Sequence, residues 1–296
     1  MMLASLEDLH PSHPDTTRPT WPADVSSIGA TAAKCLRLEL ETWPKPGLVS
    51  HIDCGSHDDM TAETFRASTL VIAPYLQALA EAGSQGCSMG KLRLIGLEAE
   101  RAMFAATSGI NTHRGAIFGL GLLCAAAGAK IAGRVSPATS LGATVSQLWG
   151  RGIVAGPILL HSHGSAARYR FGAGGARQEA ADGFPTVYAV GLPALRRASL
   201  KAPEDAEAQR VETCFALIAA LEDTNLLHRG GRSGLQFARR VAKKFLADDG
   251  IAKTGWQARA QRIHKRFIER GLSPGGSADL LAMTLFIDTH ERPVVK

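Results

Sequence analysis

Six polar islands interrupt a chain otherwise rich in apolar and small residues, and their side chains are those of nucleotide and carboxylate chemistry. The first, TWPKPGLVSHIDCGSHDDM (42–60), carries Lys45, His51, Asp53, His57, Asp58 and Asp59. Long connections with that inventory are often functional, although a solvated loop would look the same. The second is Glu100, in an apolar helical stretch with Met103 and Thr107 at i+3 and i+7 on its face. An isolated surface glutamate is the plain alternative.

The third island opens GINTHRGAIFGLGLLCAAAG (109–128). Asn111 or Thr112 can cap the helix that follows. Capping does not explain Arg114, because a cation in the first turn opposes the helix dipole. An anion at the helix start removes the conflict, since free backbone N–H groups also point there. Asn111, Thr112, His113 and Arg114 are therefore expected to face a phosphate.

The fourth island runs from His163 across a glycine-rich stretch to Arg177 and Glu179. His161 and His163 would point about 200° apart on a helix, which weakens a joint metal-ligand reading. The fifth, EDTNLLHRGG (222–231), holds Asp223, Asn225 and Arg229. The sixth, SPGGSADLL (273–281), has two glycines, Ser277 as a cap and Asp279 in a first turn. Gly-Gly before a helix can expose N–H groups as an anion nest, or can simply make a turn. Together the islands favour a site for a nucleotide and a divalent cation.

Helices must position these groups. Apolar spacing predicts helices over 23–42 (buried face Ala32, Cys35, Leu36, Leu40), 61–82 with Thr61 as cap, 88–107 and 112–128. Pro74 should kink or divide the second. Further helices are predicted over 139–160 (broken near Gly150–Gly156), 204–227, 234–247, 254–270 and 277–289. Residues 168–185 read as loop, and only TVYAV (186–190) resembles a strand. The expected fold is all-α: a flexible tail over 1–22, then a single multi-helix domain over 23–296 with long functional loops.

Composition narrows the function classes. No basic start with an apolar core marks a secretory signal, and no uncharged apolar run reaches the roughly 18–20 residues of a membrane span. The five cysteines include no CxxC pair, which points to a reducing cytosol rather than a disulfide framework or zinc site. Net charge is +6, but residues 228–270 alone hold twelve Lys/Arg against three acids. Within them Arg239, Arg240, Lys243 and Lys244 share one helical face, as do Arg259, Arg262 and Arg266. That face is either merely solvated or attracts a polyanion. A non-catalytic nucleic-acid binder would use it, but the acidic islands argue against that reading.

The motifs TWPKPGLVSH…GSHDDM, GLEAERAM, GINTHRGAIFGLGLL, GARQEAADGFP, EDTNLLHRGG and RGLSPGGSADLLA resemble, in order and from about residue 30 to 290, the triphosphoribosyl-dephospho-coenzyme A synthases. NTHRGAIF and SPGGSADLLA are the specific signatures. WPKPGLVSH looks more like the malonate decarboxylase branch than the citrate lyase branch, where Asp more often follows PGLV. Gln178 replaces a frequent Gly beside Glu179.

The resemblance implies an all-helical transferase using ATP and 3′-dephospho-coenzyme A. Adenine leaves, and the product passes to a phosphoribosyl-dephospho-coenzyme A transferase acting on an acyl carrier protein. Neither nucleic acid nor membrane takes part. Asp59 and Glu179 are then the expected catalytic carboxylates. Lys45, His57, Asn111, Thr112, His113, Arg114, Arg177, Asn225, Arg229 and Ser277 are the expected substrate contacts. Glu100, Asp223 and Asp279 are the expected ligands for Mg²⁺. A Mg²⁺-dependent ribosyl hydrolase is the nearest rival.

Overall fold

The computed structural model describes residues 24–157 and 174–292. The expected tail and both His161 and His163 lie outside them. A short 3₁₀ turn (Val25–Ser27) is tied by Asp24, which accepts from the Ser26 N–H at 2.9 Å. Eleven α-helices follow among the described residues: α1 (Ile28–Leu40), α2 (Ala62–Ser84), α3 (Met89–Ala106), α4 (Arg114–Ile131), α5 (Leu141–Ala155), α6 (Gly175–Ala181), α7 (Leu192–Lys201), α8 (Ala206–Ala220), α9 (Thr224–Ala247), α10 (Trp256–Ile268) and α11 (Gly275–Glu291). Among the described residues there is no strand, so the all-α expectation holds.

Local chemistry explains most element boundaries. Thr61 caps α2 in a reciprocal box, accepting from the Thr64 N–H at 3.4 Å while the Thr64 hydroxyl accepts from the Thr61 N–H at 3.2 Å. Ser140 caps α5, Asp205 caps α8 and Asp223 caps α9. The predicted face of α1 is the buried one: Ala32, Cys35, Leu36 and Leu40.

The break expected near Gly150–Gly156 falls at Gly156, the C-cap of α5. Other expectations fail for tertiary reasons. Pro74 lies inside α2 without dividing it. TVYAV is not a strand; Val187–Gly191 forms a π-helical turn leading into α7, an element not foreseen. Residues 175–181 of the supposed loop are helical. The predicted 204–227 helix stops at Ala220, and Asp223 starts α9, which breaks at Gly231 with φ 60° and ψ −163°. Ser277 lies inside the first turn of α11 rather than capping it.

Helix α4 is the hub. It is buried nearly all round and packs against α1, α2, α3, α5, α6 and α11. It is the one helix among the described residues long and apolar enough to cross a membrane, and 72% of it is buried inside the protein. Glycines let α2 and α4 approach closely: a Cβ on Gly83 would lie 1.9 Å from the Ala125 carbonyl, and one on Gly128 1.9 Å from that of Ala80. On the far side, Phe215 of α8 stacks on Phe245 of α9 with centroids 4.0 Å apart. Part of the basic segment is structural there. Arg259 donates to the Phe245 and Asp248 carbonyls at 3.0 Å and closes the end of α9. Arg266 and Arg270 lie over Phe237. Arg240, Lys243, Lys244 and Arg262 remain exposed.

Gly128→Val should overpack this contact and destabilise the protein by about 1–3 kcal/mol or more. Gly96→Ala, where a Cβ meets nothing within 4 Å, should stabilise by roughly 0.5–1 kcal/mol. Thermal melts followed by circular dichroism check both; equal melting temperatures would contradict the packing argument.

Candidate active site

The loop over 42–60, α2, α3 and the starts of α4, α9 and α11 enclose a cavity of about 940 Å³, closed on one side by α6. That volume is at the upper end of small-molecule sites. Most of the residues singled out in the sequence line it; Lys45, Asp223 and Ser277 do not.

At the start of α4 the dipole conflict is resolved by the protein itself. The Asn111 side-chain Oδ1 accepts from the Arg114 backbone N–H at 3.3 Å. The Arg114 guanidinium pairs with Glu100 at 3.0 Å. The Ala116 N–H donates to the Asp279 carboxylate, which supplies the anion that the sequence argument sought in a phosphate. Only glycine permits this approach, because a Cβ on Gly115 would lie 2.0 Å from Asp279 Oδ2. Burial, then the nearby Glu39 and Asp223 charges, push the Asp279 carboxyl well up from its ordinary range. Burial raises Glu100 too, against the opposing pull of Arg114.

Thr112 and His113 turn away from solvent. The Thr112 hydroxyl donates to Ser68 Oγ at 2.8 Å, and Ser68 Oγ lies 2.6 Å from His113 Nδ1. His113 is 3% exposed, and burial, with Lys45 nearby, brings it down to about 3, so the ring is neutral.

Lys45 is fully buried behind the cavity, where its ammonium donates to the Glu39 carboxylate and, at 2.7 Å, to the Glu39 carbonyl. Glu39, not Lys45, reaches the cavity wall. Asp223 is also withdrawn. One oxygen accepts from the Asn225 and Leu226 N–H groups at 2.9 and 3.4 Å. The other accepts from the Ser277 N–H and hydroxyl at 2.8 and 3.0 Å. Asp223 and Ser277 thus lock α9 to α11, leaving Asn225 at the cavity edge beside Gly275.

At the mouth, Arg229 donates to the Ser56 and Gly271 carbonyls at 3.1 Å and to His57 Nδ1 at 3.1 Å. A nitrogen that accepts from a guanidinium bears no proton, so the neutral ring carries its proton on Nε2 and donates to Ser273 Oγ at 2.9 Å. Burial and Arg229 lower the His57 pKa, with Asp59, 3.6 Å away, opposing them. Asp59 itself is largely exposed.

On α6, Glu179 accepts from the Thr186 N–H at 2.8 Å and its hydroxyl at 2.9 Å, and burial raises its carboxyl despite those bonds. Arg177 spends its guanidinium on the end of α5, donating to the Ile153, Gly156 and Pro157 carbonyls. It holds the wall as a helix cap.

Among the described residues no three Asp, Glu, His or Cys side chains converge on a metal position. Glu100 is committed to Arg114 and Asp223 to Ser277, so only Asp279 of the three expected ligands has no side-chain partner. Mg²⁺ commonly takes one or two carboxylates, the rest of its shell coming from phosphates and water. The donor set fits that mode.

Comparison with known proteins gives the family. The model of the ATP:dephospho-CoA triphosphoribosyl transferase family matches residues 25–295. The chain belongs to that family. The probable 2-(5″-triphosphoribosyl)-3′-dephosphocoenzyme-A synthase of Albidiferax ferrireducens is 39% identical over 91% of this chain and 92% of the relative. The Klebsiella pneumoniae 2-(5″-triphosphoribosyl)-3′-dephosphocoenzyme-A synthase is 36% identical over 93% of this chain and 94% of its own. No solved structure gives a significant match.

One group lining the cavity of this transferase, Glu39, and one buried behind its wall, Ser68, carry no motif in the sequence. Glu39 interrupts the buried stripe of α1, and Ser68, which contacts His113 and Thr112, lies four residues before Ile72 on that of α2. A polar residue on an apolar stripe was the available signal in both cases.

The raised Asp279 carboxyl gives a pH prediction. Its contribution to stability is complete below its ordinary pKa of ~4 and is lost as pH rises through the raised value. Asp279→Asn keeps an acceptor for Ala116 but cannot ionise. It should melt on the order of 2–4 °C or more above the native protein near pH 8. The gap should close toward pH 4–5; a gap independent of pH would show that charge is not its cause.

Proposed function

We propose that the cavity transfers the triphosphoribosyl group of ATP to the 2′-hydroxyl of 3′-dephospho-coenzyme A. The hydroxyl oxygen bonds to the anomeric carbon, the bond from that carbon to adenine breaks, and the hydroxyl proton ends on the released adenine. The carrying observation is the cavity's electrostatics: among the described residues, seven carboxylates but only four guanidinium groups line it. Positive charge grows on the ribose as the glycosidic bond breaks, and fixed carboxylates in a water-poor site stabilise it. Asp279 and Glu39 supply negative charge at the floor. Glu179, raised by burial and fixed by Thr186, is suited to handle the proton. Asp59, beside His57 at the mouth, is the second catalytic carboxylate in this reading.

The same acid excess would repel a triphosphate unless a cation came with it. Asp279 would hold Mg²⁺, whose chemistry is to neutralise phosphate charge. The exposed cations over 228–270 suit the second polyanionic substrate. Further along, the product would be the prosthetic-group precursor for the acyl carrier protein subunit of malonate decarboxylase, attached by a separate transferase. The WPKPGLVSH motif supports that branch over citrate lyase. We place the enzyme in the cytoplasm, where its five free thiols are stable.

A bound hydroxyl held against the anomeric carbon has an advantage that free water lacks. Adenine release, followed by chromatography, should therefore require dephospho-coenzyme A beside ATP. Coenzyme A, with a phosphate next to the reacting hydroxyl, should be a poor acceptor. Rapid release from ATP alone would favour a ribosyl hydrolase. In the same assay Glu179→Gln and Asp59→Asn should stay folded and lose at least about 100-fold in rate; near-native rates in both would remove these carboxylates from the mechanism.

A further inference from the structure

His113 carries a feature that phosphate binding does not explain. The Thr112 hydroxyl donates to Ser68 Oγ, and His113 Nδ1, 2.6 Å away, is the only acceptor within reach of the Ser68 hydroxyl among the described residues, so the Ser68 proton points there. A neutral imidazole that accepts at Nδ1 bears its proton on Nε2. That Nε2–H has no hydrogen-bond partner among the described residues, although the ring is 3% exposed and lines the cavity. Leaving a buried donor unpaired is costly, and such groups mark where a ligand atom belongs.

The neighbours say what kind of atom. Phe65 meets the His113 ring edge-on with centroids 4.9 Å apart. Phe65 packs against the small apolar cluster that contains Val49 and Met60, and all three line the cavity. The nearest guanidinium in sequence, Arg114, is held by Glu100. An apolar, aromatic wall with one neutral donor is a poor phosphate cradle. It matches a flat heteroaromatic base that presents ring nitrogens as acceptors.

We infer that the His113 Nε2–H donates a hydrogen bond to a ring nitrogen of the purine, and that Ser68 is the positioning residue that keeps the proton on Nε2. The inference rests on the reading of the chain as an ATP-dependent triphosphoribosyl transferase and assigns the base end of that site. When the bond to the anomeric carbon breaks, its electron pair goes to the departing base and spreads over the ring nitrogens. The hydrogen bond strengthens as that charge grows, while the proton itself stays on His113. Binding and leaving-group stabilisation thus come from one contact.

Calorimetric titration with ATP and with 1-deaza-, 3-deaza- and 7-deaza-ATP, each with Mg²⁺, tests it. One analogue should bind the native protein about tenfold more weakly than ATP, equivalent to about 1.4 kcal/mol. His113→Phe should bind ATP and that analogue alike. Ser68→Ala should lose most of the discrimination and Ser68→Thr should restore it, a pattern that loss of packing alone would not produce. Native protein that binds ATP but treats all four nucleotides equally would overturn the inference and leave the transferase reading intact. So would His113→Phe retaining the native discrimination. Failure of the native protein to bind ATP would overturn both.

Discussion

One contact organises this protein: the Asp279 carboxylate seated on the first turn of α4. It brings the start of the last helix against the start of the central one, and it needs Gly115 to do so. A buried carboxylate is expensive to ionise, and the bond from Ala116 with the helix dipole offsets only part of that cost. The remaining cost is built into the floor of the cavity. A cationic species at that floor, whether a metal ion or a ribosyl group losing its base, would relieve it. In the proposed reaction, stability and function would pull this residue in opposite directions, as they commonly do at active sites.

Around that contact the fold is tied by polar clamps between segments distant in sequence. Asp223 joins α9 to α11 through Ser277. The 42–60 loop is held at both ends and in the middle. The Trp43 N–H donates to Glu207 at 3.0 Å, and Ser56 donates to the Leu272 carbonyl at 2.7 Å. His264 Nε2 lies 3.1 Å from Asp53. Arg229 adds two more bonds to carbonyls of the same region. A long connection so bound behaves as a wall, and it can present His57 and Asp59 at a fixed height above the floor.

The charges divide by depth. At the mouth lie exposed groups, with Arg229 and Asp59 on either side of a neutral His57. Deeper are groups whose ionisation burial opposes, Glu179 and Asp279, and a histidine held neutral. A nucleotide is polar and charged at its phosphates and flat and weakly polar at its base. The gradient in the cavity has the same sense.

Much of this was legible in the sequence. Apolar periodicity located nine of the eleven helices to within a few residues or as parts of longer stretches, because the periodicity is itself the imprint of one buried face. The polar islands located the cavity, because islands at helix starts converge when helices pack with their ends together. Roles within the islands were another matter. Lys45, Asp223, Ser277 and Arg177 have side chains suited to substrates, yet the fold uses them to hold Glu39, α11, α9 and the end of α5. The cation at the start of α4 was expected to face a phosphate; within the fold Arg114 pairs with Glu100, one helix back, and the first turn meets Asp279, far along the chain. The sequence by itself determined which groups are polar in an apolar setting and where along the helices they stand. Which of them face each other, and which are left facing a ligand, was decided only in three dimensions. The energy of a charge depends on its distance to other charges and to water, and sequence order records neither.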